Sequence, residues 1–158
     1  MATAIVYTEL GGPEVLTVTD IEAPMPGPGE VAVHVEAAGV NPIDHKLRSG
    51  TRPSAPVAAP RHIGADAAGT VTALGEGTEG FRVGDPVVVF NAEGTYASDL
   101  VVDARHVTPR PAVVSAAEGA ALGIPVSTAY QTVRSLAVGP RDVLLVHAGS
   151  GSVGQAVI

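Results

Sequence analysis

The chain contains no cysteine, which excludes disulfides and every cysteine-ligated zinc site. Aromatic residues make up 3% of it, so a core has to be built from Val, Ala, Leu and Ile. Basic residues are few: 9 Lys and Arg stand against 16 Asp and Glu, for a net charge of −7, and no basic run of five occurs. Contact with nucleic acid or an anionic membrane is a poor match for that charge. No apolar run reaches the ~20 residues of a membrane span. The start, Met1-Ala2-Thr3-Ala4-Ile5, lacks the basic and apolar regions of a signal peptide, and a cytoplasmic protein is expected. The histidines at 34, 45, 62, 106 and 147 show no H-x-x-x-H pairing, so no metal site is expected. No serine sits in a G-x-S-x-G elbow; Gly149-Ser150-Gly151 is one residue short on each side.

What is present is turn-rich and aliphatic. Nineteen glycines and thirteen prolines punctuate a chain that is 46% hydrophobic, which predicts many short strands. Thr3 to Thr8 and Val15 to Asp20 read as strands around a Gly11-Gly12-Pro13 turn. Glu30 to Ala37 alternates, with Val31, Val33 and Val35 on one face and Glu30, Ala32, His34 and Glu36 on a wet one. His34 is expected to be solvated. Asn41, Pro42 and Asp44 suit the N-cap, N1 and N3 positions of a helix over 42–48, with Gly50 as its stop. A proline-rich loop is expected over 51–60. Residues 62–75 read as a strand entered through small residues, which implies another backbone or a ligand close by. Val87 to Phe90 and Thr95 to Val102 complete about seven strands, the number of a compact barrel or sandwich.

Beyond Pro111 the pattern becomes helical. Ser115 and Glu118 form a capping-box signature for a helix through Leu122, and a longer helix begins at Pro125 or Ser127 and ends at Gly139-Pro140. Val143 to His147 then reads as a buried strand. Glycines at 149, 151 and 154 follow it, and an apolar run opens a further helix. Strand, G-x-G-x-x-G and helix in that order predict a dinucleotide site. The first glycine permits the tight turn and the second a close approach to pyrophosphate. The third permits close packing, and the helix N-terminus presents N–H groups to the phosphates. The residue that would read the ribose 2′ position, about 20 positions further on, is not among the 158.

Three segments together carry a family resemblance: Ala38-Gly39-Val40-Asn41-Pro42-Ile43-Asp44, the stretch Gly64 to Val71 continuing to Phe81-Arg82-Val83-Gly84-Asp85-Pro86-Val87, and Thr128-Ala129-Tyr130 leading to the glycine turn. In these the chain resembles the zinc-free quinone oxidoreductase (zeta-crystallin-like) branch of the medium-chain dehydrogenases/reductases. The resemblance implies a mixed β and α/β fold: a GroES-like β-barrel catalytic domain over 1–124, then the first strand, turn and helix of a Rossmann domain over 125–158. It implies NADPH as cofactor, with NADH as the alternative, and hydride transfer to a quinone or α,β-unsaturated carbonyl. It also implies a homodimeric full-length enzyme. Zinc-bearing relatives carry a ligand cysteine near Asn41 and a His-Glu pair where this chain has Ala65-Asp66.

Carried over by position, Asn41, Pro42, Ile43, Asp44, His45 and Lys46 resemble the wall beside the nicotinamide. Thr128 resembles a cofactor-contacting threonine at a helix start. Gly149, Ser150, Gly151, Ser152, Val153 and Gly154 resemble the pyrophosphate turn. Ser152 replaces a common glycine, and Lys46-Leu47 replaces an aromatic pair, which removes a stacking platform for a quinone. No general acid is identified. The 158 residues are expected to be the N-terminal part of the enzyme, and inactive alone. Two other readings stay open: a stand-alone GroES-like module with an interaction or assembly role, and a zinc-free enoyl-thioester reductase.

Overall fold

A computed structural model describes residues 1–53 and 56–158; Ser54 and Ala55, in the expected 51–60 loop, lie outside the described residues. The strands form two sheets. In the first, β1 (Ala2–Tyr7) lies between β2 (Thr17–Ile21) and the two-residue β4 (Arg61–His62), antiparallel to both. The second is a five-stranded antiparallel sheet. Its order is β7 (Asp99–Asp103), β3 (Glu30–Gly39), β5 (Asp66–Leu74), β6 (Pro86–Val89) and β8 (Val107–Pro109).

The expected barrel therefore does not close as one ladder. Residues 96–98 join the two sheets: Ile5 N–H donates to the Tyr96 carbonyl (2.8 Å), Ser98 N–H to the Thr3 carbonyl (2.8 Å), and Val35 N–H to the Ser98 carbonyl (2.8 Å). That bridging role is why only the second half of the strand expected over 95–102 enters the ladder with β3.

The core is aliphatic, as the scarcity of aromatics requires. Val31, Val33, Ala67, Val71, Val87, Val89, Leu100, Val102 and Val107 pack together, all buried. Alternation in β3 is interrupted: Ala32 is buried beside Val31 and Val33, and the pairing with β5 shifts register between Ala32 and Val33, as a bulge does. His34 stays on the wet face, where its Nδ1 meets Asp99 Oδ1 at 3.0 Å.

Among the described residues there are four α-helices. α1 (Pro42–Arg48) has the expected bounds, and Gly50 follows it at φ 73°. α2 (Ala116–Ala120) carries the expected capping box: Ser115 Oγ accepts Glu118 N–H (3.2 Å), and Glu118 Oε2 accepts Ser115 N–H (2.8 Å). α3 spans Gly123–Ser135 and packs against α4 (Ser152–Val157), the helix of the glycine turn.

The strand expected over 143–147 is absent. Residues 142–146 have no regular structure, His147 begins a turn, and Val143 is fully exposed. A strand exists through its ladder, and among the described residues no other strand lies beside this one. The aliphatic run is intrinsically suited to extension but has no partner here. The turn and helix of the expected strand-turn-helix unit do form.

Candidate functional site

The loop that ends β3 and enters α1 sets the first half of the site. Asn41 is the N-cap of α1 and is buried, with Pro42 next to it at N1. Asp44, also buried, accepts the Asn41 N–H at Oδ2 (2.8 Å), the reciprocal half of a capping box. The same oxygen accepts the Tyr96 hydroxyl (2.9 Å). Burial, followed by the hydrogen bond and negative charge of Asp44, raises the Tyr96 phenol well above its ordinary value of 10.0. Asn41 Nδ2 donates to Asp66 Oδ2 (2.9 Å), and Asp66 is completely buried at the first position of β5.

Asp66 also explains where α3 begins. Its Oδ2 accepts the Ile124 N–H at 2.8 Å, so a side chain 58 residues away caps the helix. The expected start at Pro125 or Ser127 moves back to Gly123 for this reason, and Thr128 lies inside α3 rather than at its start.

The glycine turn supplies the opposite half. Ala148, not a glycine, takes the left-handed conformation at φ 56°, and its carbonyl accepts the Gly151 N–H (2.9 Å). Gly151 is the N-cap of α4 and offers no side-chain cap, which leaves the first-turn N–H groups of Ser152, Val153 and Gly154 to other acceptors. Gly154 is buried, and a Cβ there would collide with the Ala148 carbonyl, so the third glycine allows the helix to close on the turn.

These halves face one cavity of about 680 Å³. Asn41 and Pro42 line it together with Gly151, Ser152, Val153 and Gly154, and apolar residues including Ala120 and Leu136 complete the lining. A second cavity of about 670 Å³ takes in Ile43, Asp44, His62 and Asn91, and Ile124 lines both. Of the other candidates, Gly149 and Ser150 form the turn beside the first cavity without lining it. His45, Lys46 and Thr128 are exposed and line neither. Among the described residues, no group of three or more His, Asp or Glu side chains could hold a metal ion. Nor is any helix there long and apolar enough to cross a membrane.

Sequence reasoning missed Asp66, Tyr96 and Ile124 as parts of this site. Only Asp66 left a signal, as a lone acid within Gly64-Ala65-Asp66-Ala67-Ala68-Gly69. Tyr96 and Ile124 act through contacts 52 and 58 residues long, which no local pattern records.

A profile of the alcohol dehydrogenase GroES-like domain matches residues 27–112, more than half of the chain. The chain belongs to the GroES-like alcohol dehydrogenase domain family. Within this family it is similar to the human quinone oxidoreductase, at 38% identity over 156 residues, 97% of this chain and 47% of the relative. The chain thus spans about half the length of the curated relatives it matches. Its GroES-like fold superposes on the Escherichia coli quinone oxidoreductase solved with NADPH, with a TM-score of 0.86, 32% identity and coverage of 98% of this chain and 48% of that one. A mycobacterial protein solved with NADPH matches with a TM-score of 0.86 and 38% identity, over 99% of this chain and 47% of that one. The quinone oxidoreductase kinship suggested by the three sequence segments is the one these relatives' names carry.

Proposed function

We propose that this GroES-like chain forms part of an NADPH-dependent reductase that transfers hydride to a quinone or α,β-unsaturated carbonyl without zinc. The observation that carries this reading is the shared cavity: Asn41, from the loop before α1, and the Gly151–Gly154 turn line one space of about 680 Å³. The relatives that bear the names quinone oxidoreductase and NADPH support the same reading. The proposed organisation is a catalytic domain over 1–124 and the start of a nucleotide-binding domain over 125–158. A homodimeric assembly in the cytoplasm completes it, the first checked by light scattering and the second by cell fractionation.

The residues present fit a dinucleotide. A helix whose N-cap is a glycine and whose third glycine lets it close on the turn offers N–H donors to a pyrophosphate. When bound, NADPH supplies the hydride. Gly151 to Gly154 hold the phosphates, and Asn41 and Pro42 form the wall that orients the nicotinamide end.

The test is NADPH oxidation by the polypeptide as its gene encodes it, with quinones, enones and enoyl thioesters offered in parallel and a chelator present. Turnover of quinones or enones in the chelator supports the reading. Preference for thioesters favours the enoyl-reductase alternative, and no turnover with any acceptor overturns the enzyme reading.

A further inference from the structure

Three N–H donors converge on the buried Asp66 carboxyl. Asn41 Nδ2 and Ile124 N–H both reach Oδ2, at 2.9 and 2.8 Å, and Asn91 N–H approaches Oδ1 at 3.5 Å. The donors come from three separate places: the loop before α1, the first turn of α3, and the bend after β6 where Asn91 holds φ 50°. The backbone crowds the carboxyl as well. A Cβ on Gly123 would collide with it, and one on Gly39 would come within 2.9 Å of Asp66 Cβ. A carboxyl surrounded by donors acts as the acceptor for all of them.

This arrangement controls two things at once. The Asn41 NH₂ group is committed to Asp66 and its Oδ1 faces the Asp44 N–H of the α1 capping box, so Asp66 fixes which way round the Asn41 amide sits in the cavity wall. Because Ile124 N–H shares Asp66 Oδ2, the start of α3 is set too, and α3 carries α4 and the glycine turn against its side. One buried atom therefore ties the two halves of the cavity to a common origin.

We propose that Asp66 is a positioning residue: its carboxyl fixes the orientation of the Asn41 amide and the start of α3, and so the way Asn41 faces the glycine turn. The geometric part of this stands by itself; its consequence for turnover rests on the NADPH reading above. Asp66 touches neither cofactor nor substrate in this scheme and acts through Asn41.

The test compares Asp66→Ala with Asp66→Asn in the polypeptide as encoded. Alanine removes the acceptor. Asparagine keeps an acceptor where Oδ2 stands and serves as the conservative rescue. The first readout is the Asn41 side-chain amide pair in ¹⁵N–¹H spectra, assigned by its loss in Asn41→Ala. It is expected to shift in Asp66→Ala and to return close to the wild-type position in Asp66→Asn. The second is the kinetic split: a fall in kcat of about tenfold with the KM for NADPH within about threefold, again restored by asparagine. If Asp66→Ala does not fold, Asp66→Ser carries the same comparison. An unmoved Asn41 amide in a folded variant lacking the acceptor overturns the proposal. So does a kcat that falls only in proportion to the folded fraction. Absence of NADPH turnover in the wild type overturns the functional reading instead, and the amide spectra, which need no cofactor, then decide the positioning role.

Discussion

The Tyr96 hydroxyl donates to Asp44 Oδ2 at 2.9 Å, and that oxygen also accepts the Asn41 N–H at 2.8 Å. The acid that caps α1 is thus held from the segment that bridges the two sheets. Removing one donor leaves Asp44 with a backbone partner, so Tyr96→Phe should cost about 1 kcal/mol. Asp44→Ala strands the Asn41 N–H and the Tyr96 hydroxyl together and should cost about 2 kcal/mol. Urea unfolding of the two variants checks the order.

Tyr96 also predicts an alkaline limb. Its phenol is raised above the ordinary 10.0, first by burial and then by Asp44. A group raised in the folded state contributes its full stability below the unfolded value, and that contribution is lost as pH rises through the folded one. Stability should therefore hold up to about pH 10 and decline above it. Tyr96→Phe should flatten this limb, and chemical denaturation across alkaline pH measures it.

The capping box at α2 gives an acidic counterpart. Hydrogen bonds from the Ser115 side chain and then its backbone hold Glu118 below its ordinary 4.5. Its contribution is present above that value and is lost as pH falls through the lowered one. Ser115→Ala should weaken the acidic limb below pH 4.5 and leave the alkaline limb unchanged. Thermal unfolding as a function of pH separates the two.

At the glycine turn, Gly154→Ala places a methyl group against the Ala148 carbonyl. The helix has to move off the turn, so on the proposed reading NADPH affinity should fall about tenfold or more while the β-sheet core keeps its stability. Fluorescence titration with NADPH, beside thermal unfolding, is the check.

Asn41→Ala removes the side chain of a residue that lines the cavity with the turn. On the proposed NADPH reading, the expected result is a loss of kcat on quinones or enones larger than the loss of NADPH binding, because the proposed pyrophosphate contacts of Gly151–Gly154 are untouched. Steady-state kinetics with both substrates varied measures this split.

Much of the fold could be read from residue patterns because the relevant physics is local. Asn41-Pro42 and Asp44 encode the start of α1, and Ser115 with Glu118 encodes the start of α2, since caps act within three or four residues. Alternation in 30–37 marked a strand, and the aromatic-poor composition correctly required an aliphatic core. Spacing also located the glycine turn and its helix.

The remainder depends on partners that are distant in sequence. Val143 to Val146 has the composition of a strand, yet a strand is defined by a neighbour's hydrogen bonds, and none is beside it among the described residues. The start of α3 is set by Asp66, so no capping residue next to Gly123 announces it. The cavity that Asn41 shares with Gly151–Gly154 follows from the packing of α3 on α4 and from that same carboxyl. Local sequence thus determined which segments are helix, turn and core. Only tertiary structure decided which of them face each other, because convergence on a buried acceptor is a property of the assembled chain.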